Sequence, residues 1–289
     1  MDRTHHVPLP TDVQAAGERR GAALAKRVLS TLVLLPLFVA VVVAGPVWLF
    51  GVLIVLVSAL GQGEFTGMFE RAGVRPFRAL GLAGGVVVTA SFALPMSERL
   101  ALTAVVLAVF TASLWGRDGA RIDWGPAAVT LFGICYVNWL LGYGFWLRDL
   151  EAGPEWVLLL VWVTWVGETA AYLVGSAVGR RKLAPVISPH KTVEGAAAQL
   201  VVSVLAALAA RAWFFGALTL PEAVAVGLLL GVAGQIGDLV ESAIKRSVGT
   251  KDTGRVIPGH GGILDRVDSL LFNAPVLFYY VTYGRLAGA

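Results

Sequence analysis

Residues 47–63 read VWLFGVLIVLVSALGQG, without one charged side chain. A helix of about 20 mainly apolar residues crosses a bilayer's hydrocarbon core, so this run predicts a membrane span. Working outward, comparable runs recur at 28–44, 79–95, 98–114, 127–147, 156–176, 193–215, 222–243 and 265–283. Together they predict an all-α, polytopic integral membrane protein of about nine transmembrane helices.

Composition agrees. The 289 residues are 57% hydrophobic and 15% charged, and mean hydropathy is +0.75. Soluble domains carry about 45–50% apolar and about 25% charged residues, so a water-soluble fold is excluded. The 34 glycines suit helices that pack closely in lipid. The net charge of +4 does not indicate a nucleic-acid binder, because Lys and Arg fall in short connections between apolar runs. The single cysteine, Cys135, rules out an intrachain disulfide and is expected to be a buried packing residue.

Residues 1–24 are polar, contain Pro8 and Pro10, and show no helical period. They predict a disordered cytoplasmic tail ahead of a membrane domain over 25–289. His5 and His6 lie in this tail and fall short of a metal-binding set. The apolar run after Lys26 and Arg27 lacks a small-residue cleavage site and is soon followed by a second one, so it is a span and not a signal peptide.

Nine spans sort the basic residues sharply. All but Arg99, Arg148, Arg211 and Arg285 of the 23 Lys and Arg fall on the side of the N-terminus. Positive residues are retained in the cytoplasm, which predicts an inner (plasma) membrane protein with its N-terminus cytoplasmic and its C-terminus outside. Two cytoplasmic connections, 177–192 and 244–264, are richer in charge than linkers need to be.

The second of these carries the chemistry. Asp238, Glu241 or Ser242, and Lys245 are three and four residues apart, so one helix face presents acid and base together. Asp265 and Asp268 share a face at the start of the last span. Ionisable groups at a membrane edge are costly and usually functional. Clustered carboxylates repel unless a cation joins them, and hard oxygen ligands favour Mg2+. Between the acids lies a basic, glycine-rich stretch with Lys245, Arg246, Lys251, Arg255, His260, Gly261 and Gly262. Its glycines let backbone N–H groups approach anionic oxygens. Carboxylates for a metal plus cations for phosphate equip phosphoryl or nucleotidyl transfer.

The segment SAIKRSVGTKDTGRVIPGHGGILDRVD, Ser242 to Asp268, resembles the signature of the phosphatidate cytidylyltransferases (CDP-diacylglycerol synthases). Ala171–Gly175, Lys182–Gly195 and Gly237–Ser242 are similar to that family's other motifs. Residues 1–150 match only in general character, with Glu64 before a basic loop. The resemblance implies a reaction in which CTP and phosphatidic acid give CDP-diacylglycerol and pyrophosphate with Mg2+. By that resemblance Asp238 and Asp265 are metal ligands and Asp268 supports them. Lys245, Arg246, Lys251 and Arg266 bind phosphates, and His260 sits near the transferring phosphate. Ser188 and Lys191 hold nucleotide or lipid phosphate, and Asp252, Gly261 and Gly262 complete the substrate loop. Glu168 stands where relatives often carry Asp, which leaves its role as a ligand open. Similar proteins commonly form homodimers, although no residue of this sequence specifies one.

Two rivals remain at this level. A transporter also places acids in membrane helices, but usually in mid-span and within internal repeats. A related enzyme acting on another lipid phosphate would carry the same motifs. The D-G-x-x-A-R run of the CDP-alcohol transferases is absent.

Overall fold

The computed structural model describes residues 32–95, 97–114, 123–254 and 261–284. The tail 1–24, Arg255 and His260 lie outside the described residues. Among the described residues the chain is almost entirely helical. It begins with α1 (Leu32–Val43), α2 (Val47–Arg71), α3 (Arg78–Ser91) and α4 (Ser97–Ser113). A continuous rod follows, made of α5 (Gly125–Gly133), a π-helical turn (Ile134–Trp139) and α6 (Leu140–Asp149). Then come α7 (Gly153–Val178), α8 (Val193–Trp213), α9 (Leu220–Ser247) and α10 (Leu264–Tyr279), which ends in a second π turn (Tyr280–Gly284).

Five of these rods are long and apolar enough to cross a membrane: α2, the α5–α6 rod, α7, α8 and α9. Helices α1 and α3 are apolar but shorter. At 1.5 Å per residue, the 14 residues of α3 span roughly 21 Å against a core about 30 Å thick. The expected run 47–63 extends to Arg71 because Gln62 and Glu64 are buried against other helices and do not end it.

Local chemistry sets the helix ends. At the start of α9 the Thr219 side chain accepts from the Glu222 N–H, while the Glu222 carboxylate accepts from the Thr219 N–H. Pro221 occupies the first turn, where its missing N–H costs nothing. Buried Arg148 donates from Nε to the Val42 carbonyl at 2.9 Å and from Nη2 to the Gly45 carbonyl at 3.0 Å, tying the end of α1 to α6.

In sequence order α7, α8, α9 and α10 pack side by side, with α10 also against α6. Glycines set their spacing: a methyl group on Gly227 of α9 would stand 2.5 Å from the Val204 Cα of α8. The main apolar core, with Trp156, Leu159, Leu230 and Leu277, fills the space among these helices. A second core joins Phe65 and Met68 of α2 to Tyr136, Ile244, Leu264 and Leu271.

Two expectations are corrected. The connection 177–192 contains an antiparallel hairpin, β1 (Lys182–Ala184) with β2 (Ser188–Thr192). Cys135 is exposed on the outer surface of its rod, because Ile134, Tyr136 and Val137 take the inward positions of the π turn.

Candidate active site

The charged residues converge at one end of the bundle, where α7 and α9 end and α8 and α10 begin. Gly237 makes the meeting of α9 and α10 tight: a Cβ there would lie 2.8 Å from the Asp268 carbonyl oxygen and 3.2 Å from the Ser269 Cα. That approach brings Asp238, Glu241 and Asp268 into one electrostatic neighbourhood, shared with Glu168 of α7.

Two lysines divide these acids. Lys245 Nζ donates to Glu241 Oε2 at 2.5 Å, one turn back on α9, and to Asp265 Oδ1 at 2.8 Å across on α10. The Glu241 side chain is 1% exposed, Asp265 12% and Lys245 14%. Removing one member of such a pair strands a buried charge and costs about 3–5 kcal/mol. Lys191 Nζ, carried by β2, lies 2.7 Å from Asp238 Oδ2 with both side chains more open, at 25% and 34%. An open pair contributes about 0–1 kcal/mol, so it can exchange partners with an arriving charge at little cost. The first pair is therefore scaffold and the second is responsive. The acid–base face expected on α9 is present, with Glu241 paired to Lys245 and Asp238 beside Ser242 along it.

The glycine-rich connection closes over Glu64. Thr253 donates through Oγ1 to Asp265 Oδ2 at 2.7 Å and to Glu64 Oε2 at 3.2 Å. Backbone N–H groups of Thr253 and Gly262 reach Asp265 Oδ2, each at 3.2 Å. Glu64 Oε2 also accepts from the Leu264 N–H at 2.9 Å, satisfying a donor that the first turn of α10 leaves free. A side chain on Gly262 would collide with Thr253 Oγ1 and stand 2.6 Å from Glu64 Oε2, so glycine is required there. Gly261 adopts φ +84°, in the left-handed region that glycine tolerates. Arg71 Nη2 donates to the Thr253 carbonyl at 3.0 Å and anchors the connection to α2.

The remaining site residues expected from sequence fall nearby in less engaged positions. Arg246 donates to the carbonyls of Ile187 and Thr250, both at 3.2 Å, and so links the hairpin to the loop. Ser188 begins β2. Lys251 and Asp252 are exposed on the loop and Arg266 on the first turn of α10. Glu168 lies against Ser269 and near Asp238, Lys191 and Arg266, so it belongs to the site. Thr253, Arg71 and the buried end of Glu64 carry no local sequence signal beyond an acid in an apolar run.

Asp238 and Asp265 stand beside different lysines, and among the described residues no three His, Cys, Asp or Glu side chains already converge as a metal set. The donor chemistry nonetheless suits a hard cation. The Oε1 atoms of Glu241 and Glu64 are buried without a hydrogen-bond partner, and carboxylate oxygen is the ligand Mg2+ takes. Beside Thr253 a cavity of about 660 Å³ opens between α2 and α3. Gly63, Gly67, Leu60 and Leu82 line it, together with Glu64, Arg71 and the ion pair of Arg78 with Glu70 at 2.9 Å.

A helical membrane bundle with an acid, lysine and glycine-loop centre at one end defines a membrane-embedded group-transfer enzyme. The model of the cytidylyltransferase family matches residues 25–284, and the chain belongs to that family of nucleotidyltransferases, which use CTP. It is 33% identical over 276 residues to the uncharacterized protein YnbB of Escherichia coli K12, covering 92% of this chain and 90% of that one. It is 41% identical over 157 residues to the phosphatidate cytidylyltransferase of Staphylococcus aureus strain COL, covering 54% of this chain and 60% of that enzyme. A Staphylococcus saprophyticus phosphatidate cytidylyltransferase is 40% identical over the same length.

Proposed function

We propose that this enzyme transfers the cytidylyl group of CTP to phosphatidic acid, releasing pyrophosphate and forming CDP-diacylglycerol for phospholipid synthesis. The observation that carries the reading is the placement of the Lys191–Asp238 pair and the Lys245–Asp265 pair at one bundle end, beside a cavity between helices. A soluble nucleotide can reach that end from water. A lipid phosphate can reach it past Leu60 and Leu82, with Arg71, and Arg78 on release from Glu70, to receive its charge. The matched relatives named for phosphatidate support the same lipid, over 54% of this chain.

In this reading a phosphate oxygen of phosphatidic acid attacks the α-phosphorus of CTP in line, and the bond to the β-phosphate breaks. The nucleophile is already anionic, so no strong base is needed and no covalent enzyme intermediate forms. Lys191 leaves Asp238 to hold phosphate oxygens, while Lys245 keeps Asp265 and Glu241 fixed. Asp238 and Asp265 would hold Mg2+, with Asp268 and the unpartnered Glu241 Oε1 alongside. When bound, the ion supplies neutralisation of the triphosphate and of the departing pyrophosphate. The family resemblance gives His260, outside the described residues, the role of a hydrogen-bond donor to the transferring phosphate. The sorting of Lys and Arg supports a cytoplasmic location for this end, in an inner membrane with the C-terminus outside.

Replacing Asp265 with Asn tests the reading. CDP-lipid formation should fall by about 100-fold or more, the scale of losing one electrostatic element of a transfer site. Near-normal turnover would remove Asp265 from the chemistry.

A further inference from the structure

The opposite end of the bundle holds a second cavity, of about 360 Å³, between the start of α4, the end of α6 and the end of α10. It is not part of the transfer site, because α10 carries Asp265 in its first turn and reaches this cavity only at Phe278 and Tyr279. Its walls combine aromatic rings with charge. Trp139, Tyr143, Trp146 and Tyr279 line it, and their rings are mutually braced. Tyr143 meets Trp146 edge-on with centroids 5.3 Å apart and Tyr279 at a tilt with centroids 5.4 Å apart. The hydroxyls of Tyr143 and Tyr279 share a hydrogen bond of 2.6 Å, and Trp146 Nε1 donates to the Phe92 carbonyl at 3.1 Å. The rings are therefore held before any ligand arrives.

Two carboxylates and one guanidinium complete the lining. Glu98 is buried, at 8% exposure, and Asp149 stands open at the mouth. Arg99 Nε lies 3.8 Å from Glu98 Oε1, but its side chain is 85% exposed and extends toward the rim. Glu98 stands in the first turn of α4, where a carboxylate is favoured, and its ion-pair partner is largely solvated, so it can take a second cation. Aromatic faces around such an acid attract an ammonium group, and the attraction strengthens when the site is desolvated.

We propose that this cavity binds a phosphate ester carrying an ammonium group, the headgroup chemistry of a zwitterionic phospholipid such as phosphatidylethanolamine. The ammonium lies among the rings against Glu98 and Asp149, and the phosphate pairs with Arg99 at the rim. The volume falls in the range of small-ligand sites, about 300–1,000 Å³, and suits a headgroup with the acyl chains left outside.

The test uses the full-length protein in detergent and native mass spectrometry. Phosphatidylethanolamine and phosphatidylglycerol of identical acyl chains are offered at equal concentration, and soluble phosphoethanolamine is offered separately. Phosphatidylethanolamine should be retained about tenfold better than phosphatidylglycerol. Glu98→Gln, which preserves shape, should abolish that preference. Asp149→Asn, at an exposed position, should reduce it and covers the case in which the first variant fails to fold. Binding of soluble phosphoethanolamine alone supports the same chemistry and assigns it to a soluble amine. Equal retention of both lipids with no uptake of phosphoethanolamine, or a preference that survives both substitutions, overturns the proposal and leaves only an aromatic belt.

Discussion

The two ends of this bundle handle membrane-edge polarity in opposite ways. At the α9–α10 junction, acids from α2, α7, α9 and α10 are drawn together and two lysines divide them. At the other end, rings from the α5–α6 rod and α10 enclose Glu98, whose partner Arg99 is held loosely. Helix α10 belongs to both, with Asp265 and Asp268 in its first turns and Phe278 and Tyr279 in its last. Both ends join residues far apart in sequence, Glu64 with Leu264 at one and Tyr143 with Tyr279 at the other. The contrast lies in what holds them: charged hydrogen bonds and ion pairs at the first, packed aromatic rings at the second.

The comparison can be broken most forcefully at Lys245. Lys245→Met removes the cation between two nearly buried carboxylates. It should cost about 3–5 kcal/mol, read as a lowered thermal midpoint in detergent, and should abolish turnover. If the protein melts as the wild type does, the scaffold role assigned to this lysine is wrong.

Next is Gly262→Ala. Its methyl group would displace Thr253 from Asp265 and Glu64. Turnover should drop by about tenfold to 100-fold, with a stability loss of about 1–3 kcal/mol from the stranded polar groups. An unchanged rate would mean that the loop bonds do not organise the centre.

Lys191→Ala sharpens the distinction between the two lysine pairs. Stability should change by less than about 1 kcal/mol, because Lys191 and Asp238 are partly open to solvent. The apparent KM for a phosphate-bearing substrate should still rise by about tenfold. A large melting shift would place Lys191 with the scaffold.

The smallest effect is expected far from the charged end. Thr219→Ala deletes the cap of α9, whose start lies at the other end from Asp238. About 1 kcal/mol of stability should be lost with turnover within twofold of the wild type. A strong activity loss would show that the two ends are coupled through α9.

Much of the helical plan was legible because apolar runs have one stable form in lipid, in which each helix satisfies its own backbone. The run 193–215 corresponds to α8 within two residues. The hairpin at 182–192 was hidden, since Pro185, Pro189 and the Arg180, Arg181, Lys182 and Lys191 of the connection 177–192 read as an ordinary charged linker. The family and its transfer chemistry could be read in Ser242–Asp268, because those residues are contiguous or one turn apart. The roles of Thr253, Arg71 and Glu64 could not, since they arise only when α2 packs beneath the loop. Helical spacing also placed Glu241 and Asp238 on one face, whereas the third partner of each comes from a different element, α10 for one and β2 for the other.

The most direct test of the central claim follows the phosphorus atoms. The purified protein is given phosphatidic acid, Mg2+ and CTP radiolabelled at either the α- or the γ-phosphorus. The α label should enter the lipid one for one with pyrophosphate release, and the γ label should appear only in pyrophosphate. A γ label in the lipid, or no label in the lipid at all, would contradict cytidylyl transfer to phosphatidic acid.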